Sequence, residues 1–283
     1  MAKTKTKFSG HDKFDCKIDW ITKGLKAYNE NSELFTQSIE ESIKQLGLGI
    51  NMIKSLNHWM KVLGLIEDKS LTLLGKMILE RDSYLESIDT LWLLHWNLVK
   101  QRDNATLYNL FFNLYYPNKF TKEEIVNRIM IWLDERQIKL SSNTIKSDMD
   151  VFIRMYRSSN KSEMSLSLFS DLHIIMTLSH DSYLLNINGV EEISDEVFLY
   201  ILMDYIELKY QKRIESISID DIQRGVLSIQ KSLCMSENSL YMKIRALDKL
   251  TNSKIYFSEA SGIRQIYIQE TIDKSELLKK IYQ

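Results

Sequence analysis

One proline and nine glycines punctuate 283 residues, and that scarcity constrains the fold more than any motif does. Sandwiches, barrels and doubly wound sheets need many tight turns, and tight turns draw on Gly and Pro. A chain this poor in both reads as helical. Its 44% hydrophobic and 27% charged residues are those of a globular protein with a core, not of a disordered one. The formal net charge of −1 announces no overall cationic field, so any nucleic-acid or membrane contact has to come from local patches. Two cysteines far apart in sequence, Cys16 and Cys234, fit a reducing cytosol. The lysine-rich start is followed by no apolar run. Later apolar runs fall short of the roughly 18 residues a membrane span needs, so a cytoplasmic protein with no membrane contact is expected.

The proline sits in "YYPNKFTKEE". Pro117 and Asn118 signal a turn, and Thr121 with Glu124 forms a capping box that opens a new helix, so a unit boundary is placed there. Before it, residues 38–68 read as a short helix, a turn at Gly47 and Gly49, and a longer helix. That helix carries Met52, Ile53, Leu56, Trp59, Met60 and Leu63 toward the core at the 3.6-residue period. Gly64 ends it, and a small strand and turn follow. Helix, turn, helix, wing is the order of a winged helix-turn-helix. The same order recurs in 122–187, with Ser142 as the expected cap of the second helix. It recurs again in 218–268, with Ser236 as a cap and a final hairpin turning near Gly262. The expected fold is mainly α with small β-wings: tandem winged helix-turn-helix-like units joined by helices. The units are 1–116, 117–188 and 189–283, the last opening on an acidic helical connector.

Charge is segregated along the chain. Residues 44–76 hold five lysines against two acids, and 231–264 hold six cations against three acids. Residues 189–208 hold six acids and no cation. Phosphate neutralisation needs clustered cations more than net charge. On the first long helix, Lys54, Asn57, His58 and Lys61 lie away from the core positions. Asn pairs with adenine edges and Lys with phosphate or guanine, although a solvated helix face has the same spacing. Asn51 is a candidate cap of that helix. Lys146 and Arg154 are the matching candidates in the second unit, with Asn143 and Arg157 beside them. Lys243 and Arg245 are those of the third, near Asn238, Tyr241 and Lys249, and Arg264 on the final hairpin is placed as a wing contact.

The stretch "FSGHDKFDC", residues 8–16, admits several readings. Zinc needs about four ligands and usually a CxxC or HxxxH-type pair, and none occurs, so no metal is expected. Ser9, His11 and Asp12 are the residue types of a nucleophile, a base and an acid, but a catalytic set needs a geometry that spacing alone does not provide. The favoured reading is a structural plug. Phe8, Phe14, Trp20 and Ile21 anchor it, Gly10 allows a tight turn, and Ser9 or His11 bonds a backbone group or a buried carboxylate. A contact of Ser9, Gly10 and His11 with a partner or a phosphate remains beside it. Trp92, His95 and Trp96 read as core. No phosphate-loop, dinucleotide-binding, nucleophile-elbow or zinc-protease motif occurs, so no cofactor is expected.

The segment "FSGHDKFDCKIDWITKG" resembles the opening signature of an uncharacterised bacterial family, F-S/A-G-H-E-T-F followed by W-L-K-K. "LGLGINMIKSLNHWMKVLGL" is similar to that family's L-G-x-G-K-N-M stretch and its W-L-x-x-x-G-L helix, and "TLWLLHWNLV", "ATLYNLFFN" and "ASGIRQIYI" fit further blocks. The resemblance implies a setting: gene clusters for DNA phosphorothioation and phage defence, beside sulfurtransferase-like and phosphoadenosine-phosphosulfate-reductase-like proteins. It implies no activity. Asp12, Lys17, Ile50 and Asn57 stand where the family has Glu, Arg, Lys and Arg, so the presumed recognition helix lacks two cations. The expected function is a noncatalytic DNA-binding or DNA-targeting accessory protein, with double-stranded DNA and a protein of the same cluster as partners. The alternative is an adaptor that docks a sulfurtransferase-like or restriction partner, with acidic 189–208 as its dock. A third reading is a cryptic enzyme built on Ser9, His11 and Asp12.

Overall fold

Serine and threonine side chains decide where most of the helices begin. The computed structural model describes residues 5–157, 166–187 and 193–283. In it Ser38, Thr72, Thr121, Ser141, Ser194 and Ser236 each accept a hydrogen bond from a backbone N–H of the helix they precede. Thr121 and Glu124 form the complete capping box. The second-unit cap is Ser141, not Ser142, because Ser142 is already the first helical residue. Asn51 caps nothing: it lies one residue inside a helix whose N-cap is Gly49.

The chain packs as two units, 1–186 and 187–283, and is mainly helical with three small antiparallel sheets. The first unit opens with α1 (Ile18–Glu30), α2 (Ile39–Leu46) and α3 (Ile50–Val62). Gly47, at φ 66°, ends α2 in the left-handed region that glycine tolerates best. A two-residue pair, β1 (Ile66–Glu67) with β2 (Ser70–Leu71), leads to α4 (Leu73–Arg81). Ile53, Leu56, Trp59, Met60 and Leu63 are buried and Met52 is half-buried. α5 (Ile88–Val99) is buried on nearly every side, with Trp92, His95 and Trp96 in the core and His95 Nδ1 at 2.8 Å from the Tyr156 hydroxyl.

α6 (Thr106–Asn109) runs into a π-helix at Leu110–Tyr115. Then come β3 (Lys119–Thr121), α7 (Lys122–Asp134), α8 (Ser142–Tyr156), β4 (Ile175–Ser179) and β5 (Ser182–Leu185), in sheet order β3-β5-β4. The boundary expected at residue 117 falls inside this unit. Phe152 and Tyr156 of α8 pack against Tyr108, Phe111 and Phe112, so the segments on either side of Pro117 share one aromatic core.

The second unit runs α9 (Asp195–Tyr210), β6 (Ser216–Ser218), α10 (Ile219–Arg224), α11 (Ile229–Ser232), α12 (Glu237–Leu250), β7 (Ile255–Ala260), β8 (Ile263–Ile268) and α13 (Lys274–Ile281). Its sheet order is β6-β8-β7, and the β7–β8 hairpin pairs without a slip from Ile255 with Ile268 to Ala260 with Ile263. Gly262 turns it at φ 78°. The acidic stretch is no connector. Residues 188–192 lie outside the described set, but α9 belongs to the core of this unit through Val197, Phe198, Ile201, Leu202 and Tyr205. Its acids meet cations of the same unit: Asp195 with Lys243, Glu196 with Lys280, and Asp204 and Glu207 with Lys274. Of the basic stretch 231–264, Lys243 is the residue that meets this acidic stretch. Among the described residues no helix is long and apolar enough to cross a membrane.

Candidate functional site

The N-terminal segment is seated on α3 and α8. Ser9, at φ 57°, donates its backbone N–H and its hydroxyl to the two carboxylate oxygens of Asp148, at 2.8 and 3.0 Å. His11 is buried and lies parallel to Trp59, with ring centroids 5.4 Å apart. The Trp59 indole N–H in turn donates to the Phe14 carbonyl at 3.1 Å. Gly10 makes this close approach possible, for a Cβ there would fall 2.5 Å from Cε1 of His58. Gly10→Ala is expected to cost about 1–3 kcal/mol through overpacking. A lowered urea midpoint would show it, and an unchanged midpoint would mean that the ring has room to move.

A second carboxylate, Asp15, clamps the segment's other end. It accepts from the Ser167 hydroxyl, from Lys17 Nζ at 2.9 Å and from Arg154 Nε at 3.2 Å. Burial alone would raise this carboxyl, but those three donors hold it below its ordinary range. Asp148 has only Ser9 to offset its burial and rises to about 6. His11 falls to about 4, from desolvation first and the Arg154 charge second. With His11 neutral at physiological pH, its 3.6 Å separation from Asp148 is a contact of a dipole with a charge, not an ion pair. Neither ring nitrogen of His11 has a hydrogen-bond partner among the described residues. Asp12 is exposed, and Trp20 is buried with its ring 5.9 Å from Phe14. Ser9 therefore engages Asp148 and not His11, and Ser9, His11 and Asp12 are not arranged as nucleophile, base and orienting acid.

The expected DNA contacts divide. On α3, Lys54 and Lys61 are exposed and Asn57 is half-buried, but His58 is buried because the N-terminal segment crosses it at Gly10. Its imidazole is pushed down to about 3 by desolvation, with Lys7, His11 and Lys61 adding positive charge. On α8, Lys146 is exposed, whereas Arg154 is held by Asp15 and by the Lys13 carbonyl at 2.8 Å, so it fastens the plug. On α12, Lys243 pairs with Asp195 at 2.8 Å and faces inward. Arg264 donates to the Tyr241 hydroxyl at 2.7 Å and meets Asp220 at 3.4 Å. Arg245 stays exposed, on a face of α12 shared with Asn238, Met242 and Lys249 and opposite buried Leu240, Ile244 and Leu247.

Asp148, Asp15 and Ser167 carry no sequence signal of their roles here. Asp148 lies 139 residues from Ser9, and no local pattern marks it. The expectation of a buried carboxylate under Ser9 or His11 specified the chemical type without the position.

Residues 8–282 match the family described as "Protein of unknown function (DUF4007)". No curated protein matches the chain. Two solved structures share the fold. One is a magnesium-ion-bound SspB crystal structure, at TM-score 0.83 and 19% identity, covering 97% of this chain and 87% of that one. The other is an SspB crystal structure, at TM-score 0.85 and 20% identity with the same coverage, 97% and 87%. Among the described residues of this chain no three His, Cys, Asp or Glu side chains converge as ligands for such an ion.

Proposed function

This chain belongs to the DUF4007 family of proteins of unknown function, and we propose that it is a DNA-targeting accessory protein of a bacterial DNA phosphorothioation or phage-defence system. The second unit carries the proposal. Helix, strand, three helices (the middle one, α11, a single turn) and a hairpin, in sheet order β6-β8-β7, are close to the order of a winged helix-turn-helix. In that arrangement the last helix before the wing enters the major groove. α12 holds this place. Its outer face offers Asn238 for an adenine edge, Met242 for a thymine methyl, and Arg245 and Lys249 for guanine or phosphate. The inward pairing of Lys243 and Arg264 removes two of the cations expected there and leaves contact to Arg245 and Lys249. The sequence resemblance supports the phosphorothioation setting, and Lys54, Asn57, Lys61 and Lys146 remain candidates for supporting phosphate contacts from the first unit.

Docking of a protein from the same gene cluster is the second reading. It is favoured by apolar side chains left in water on the second unit: Val226, Met242 and Ile263 are 88%, 64% and 60% exposed.

Fluorescence anisotropy of the full chain with labelled duplex, plain and phosphorothioated, across a salt series separates these readings. DNA targeting is expected to show affinity falling with salt, and the double variant Arg245→Ala, Lys249→Ala is expected to lower the salt slope by about 2. A difference between the two duplexes would tie binding to the modification. No binding at low salt would remove the DNA reading and leave the adaptor.

A further inference from the structure

Positive charge without a counter-charge collects at one cavity of the first unit. The space is about 230 Å³ and lies between the N-terminal segment and the last turns of α3, lined by Lys7, Lys54, Asn57, His58 and Lys61 with no acidic residue. Several lysines elsewhere in this protein meet carboxylates, among them Lys17, Lys69, Lys122, Lys209, Lys243 and Lys274. Lys7, Lys54 and Lys61 have no ion-pair partner among the described residues. The end of α3 that they surround is a helix C-terminus, which repels an anion, so the ammonium groups are the source of the positive field.

Two polar groups of the wall lack partners. The His58 ring makes no hydrogen bond to another described group, although the residue is only 8% exposed. Asn57 Oδ1 is buried and unpaired. An imidazole and three ammonium groups suit anionic oxygens. A carbonyl oxygen suits the opposite, a donor N–H or O–H close to the anion. Phosphate joined to a sugar and base supplies both. At about 230 Å³ the cavity falls below the roughly 300–1,000 Å³ of ordinary small-molecule sites, so it takes one phosphate and its nearest groups.

We infer that this cavity binds a single phosphate group carried by a nucleoside, presented either by a free nucleotide or by the 5′ end of a nucleic-acid strand. Lys7, Lys54 and Lys61 hold the phosphate oxygens, His58 donates or accepts through its neutral ring, and Asn57 accepts from the nucleoside. The site shares no residue with the outer face of α12.

Calorimetry on the full chain tests it with five probes: inorganic phosphate, adenosine 5′-monophosphate, adenosine, and a single-stranded oligonucleotide with and without a 5′-phosphate. One phosphorylated probe is expected to bind at least about tenfold tighter than its unphosphorylated counterpart, the scale of a charge-assisted hydrogen bond. A preference for the mononucleotide identifies a free nucleotide as the source, and a preference for the phosphorylated strand identifies a strand end. Lys54→Ala with Lys61→Ala is expected to abolish that preference at an unchanged Tm, since both side chains are exposed. Asn57→Ala is expected to weaken the nucleotide and leave inorganic phosphate unaffected. Equal binding of phosphorylated and unphosphorylated probes, or full binding by the double lysine variant, would overturn the inference. Arg245→Ala with Lys249→Ala is expected to leave phosphate binding intact. A protein that binds duplex DNA but no phosphorylated probe therefore refutes this site alone.

Discussion

Trp59→Ala is expected to cost the first unit about 3–5 kcal/mol and to release the N-terminal segment. Trp59 has no exposed surface. One face of its indole stacks on His11, its edge meets Tyr108 at 6.0 Å, and its N–H holds the Phe14 carbonyl. Truncation removes a large buried volume and leaves that carbonyl without its donor, two separate costs. The two cysteines report on it independently. Cys16, beside Asp15 in the segment, and Cys234, in the second unit, are both fully buried, and burial raises both thiols well above their ordinary range. In the parent protein neither should react with a thiol reagent under native conditions. In the variant Cys16 should become reactive at urea concentrations that leave Cys234 protected. If both cysteines keep their parental protection, Trp59 is not what retains the segment.

Stability is expected to fall by about 2–3 kcal/mol between pH 7.5 and pH 5, from three buried groups of the same unit. The folded-state values of His11 and His58 lie near 4 and 3, below the 6.5 of a free imidazole. A depressed pKa gives stability that is present above 6.5 and lost as the pH falls toward the folded value, because the unfolded chain takes up protons that the folded one refuses. Asp148 acts in the other direction. Its folded value near 6 exceeds the ordinary 3.8, so its contribution is full at low pH and lost as the pH rises through 6. Over the window the two histidines outweigh the one carboxyl. His58→Gln is expected to flatten the dependence to less than about 1 kcal/mol, and Asp148→Asn to steepen it toward about 4 kcal/mol, beyond any constant cost of the substitutions. Urea midpoints at a series of pH values measure both. A histidine variant with the parental slope would show that His58 titrates freely in the folded protein.

Much of the local structure was legible in the sequence. The capping box at Thr121, the cap at Ser236, the turn at Gly47 and the hairpin around Gly262 each depend on residues within a few positions of one another. The buried face of α3 followed from its period, since a helix with one apolar stripe has one way to face a core. Hydrophobic pattern and few breakers thus determined the helical class and most elements. Orientation of the charged and polar residues followed from tertiary structure alone. His58 has the spacing of an outward residue, but a strand of chain more than forty positions earlier covers it at Gly10. Arg154 and Lys243 sit on helix faces that look solvated, and carboxylates 139 and 48 residues away claim them. Pro117 marks a turn, yet aromatic side chains on both of its sides fuse what looked like two units into one core. A period reports which face of a helix is apolar, and a cap reports where the helix starts. Whether a cation meets DNA, water or a carboxylate depends on what the rest of the chain brings beside it, and that is settled only when distant segments pack.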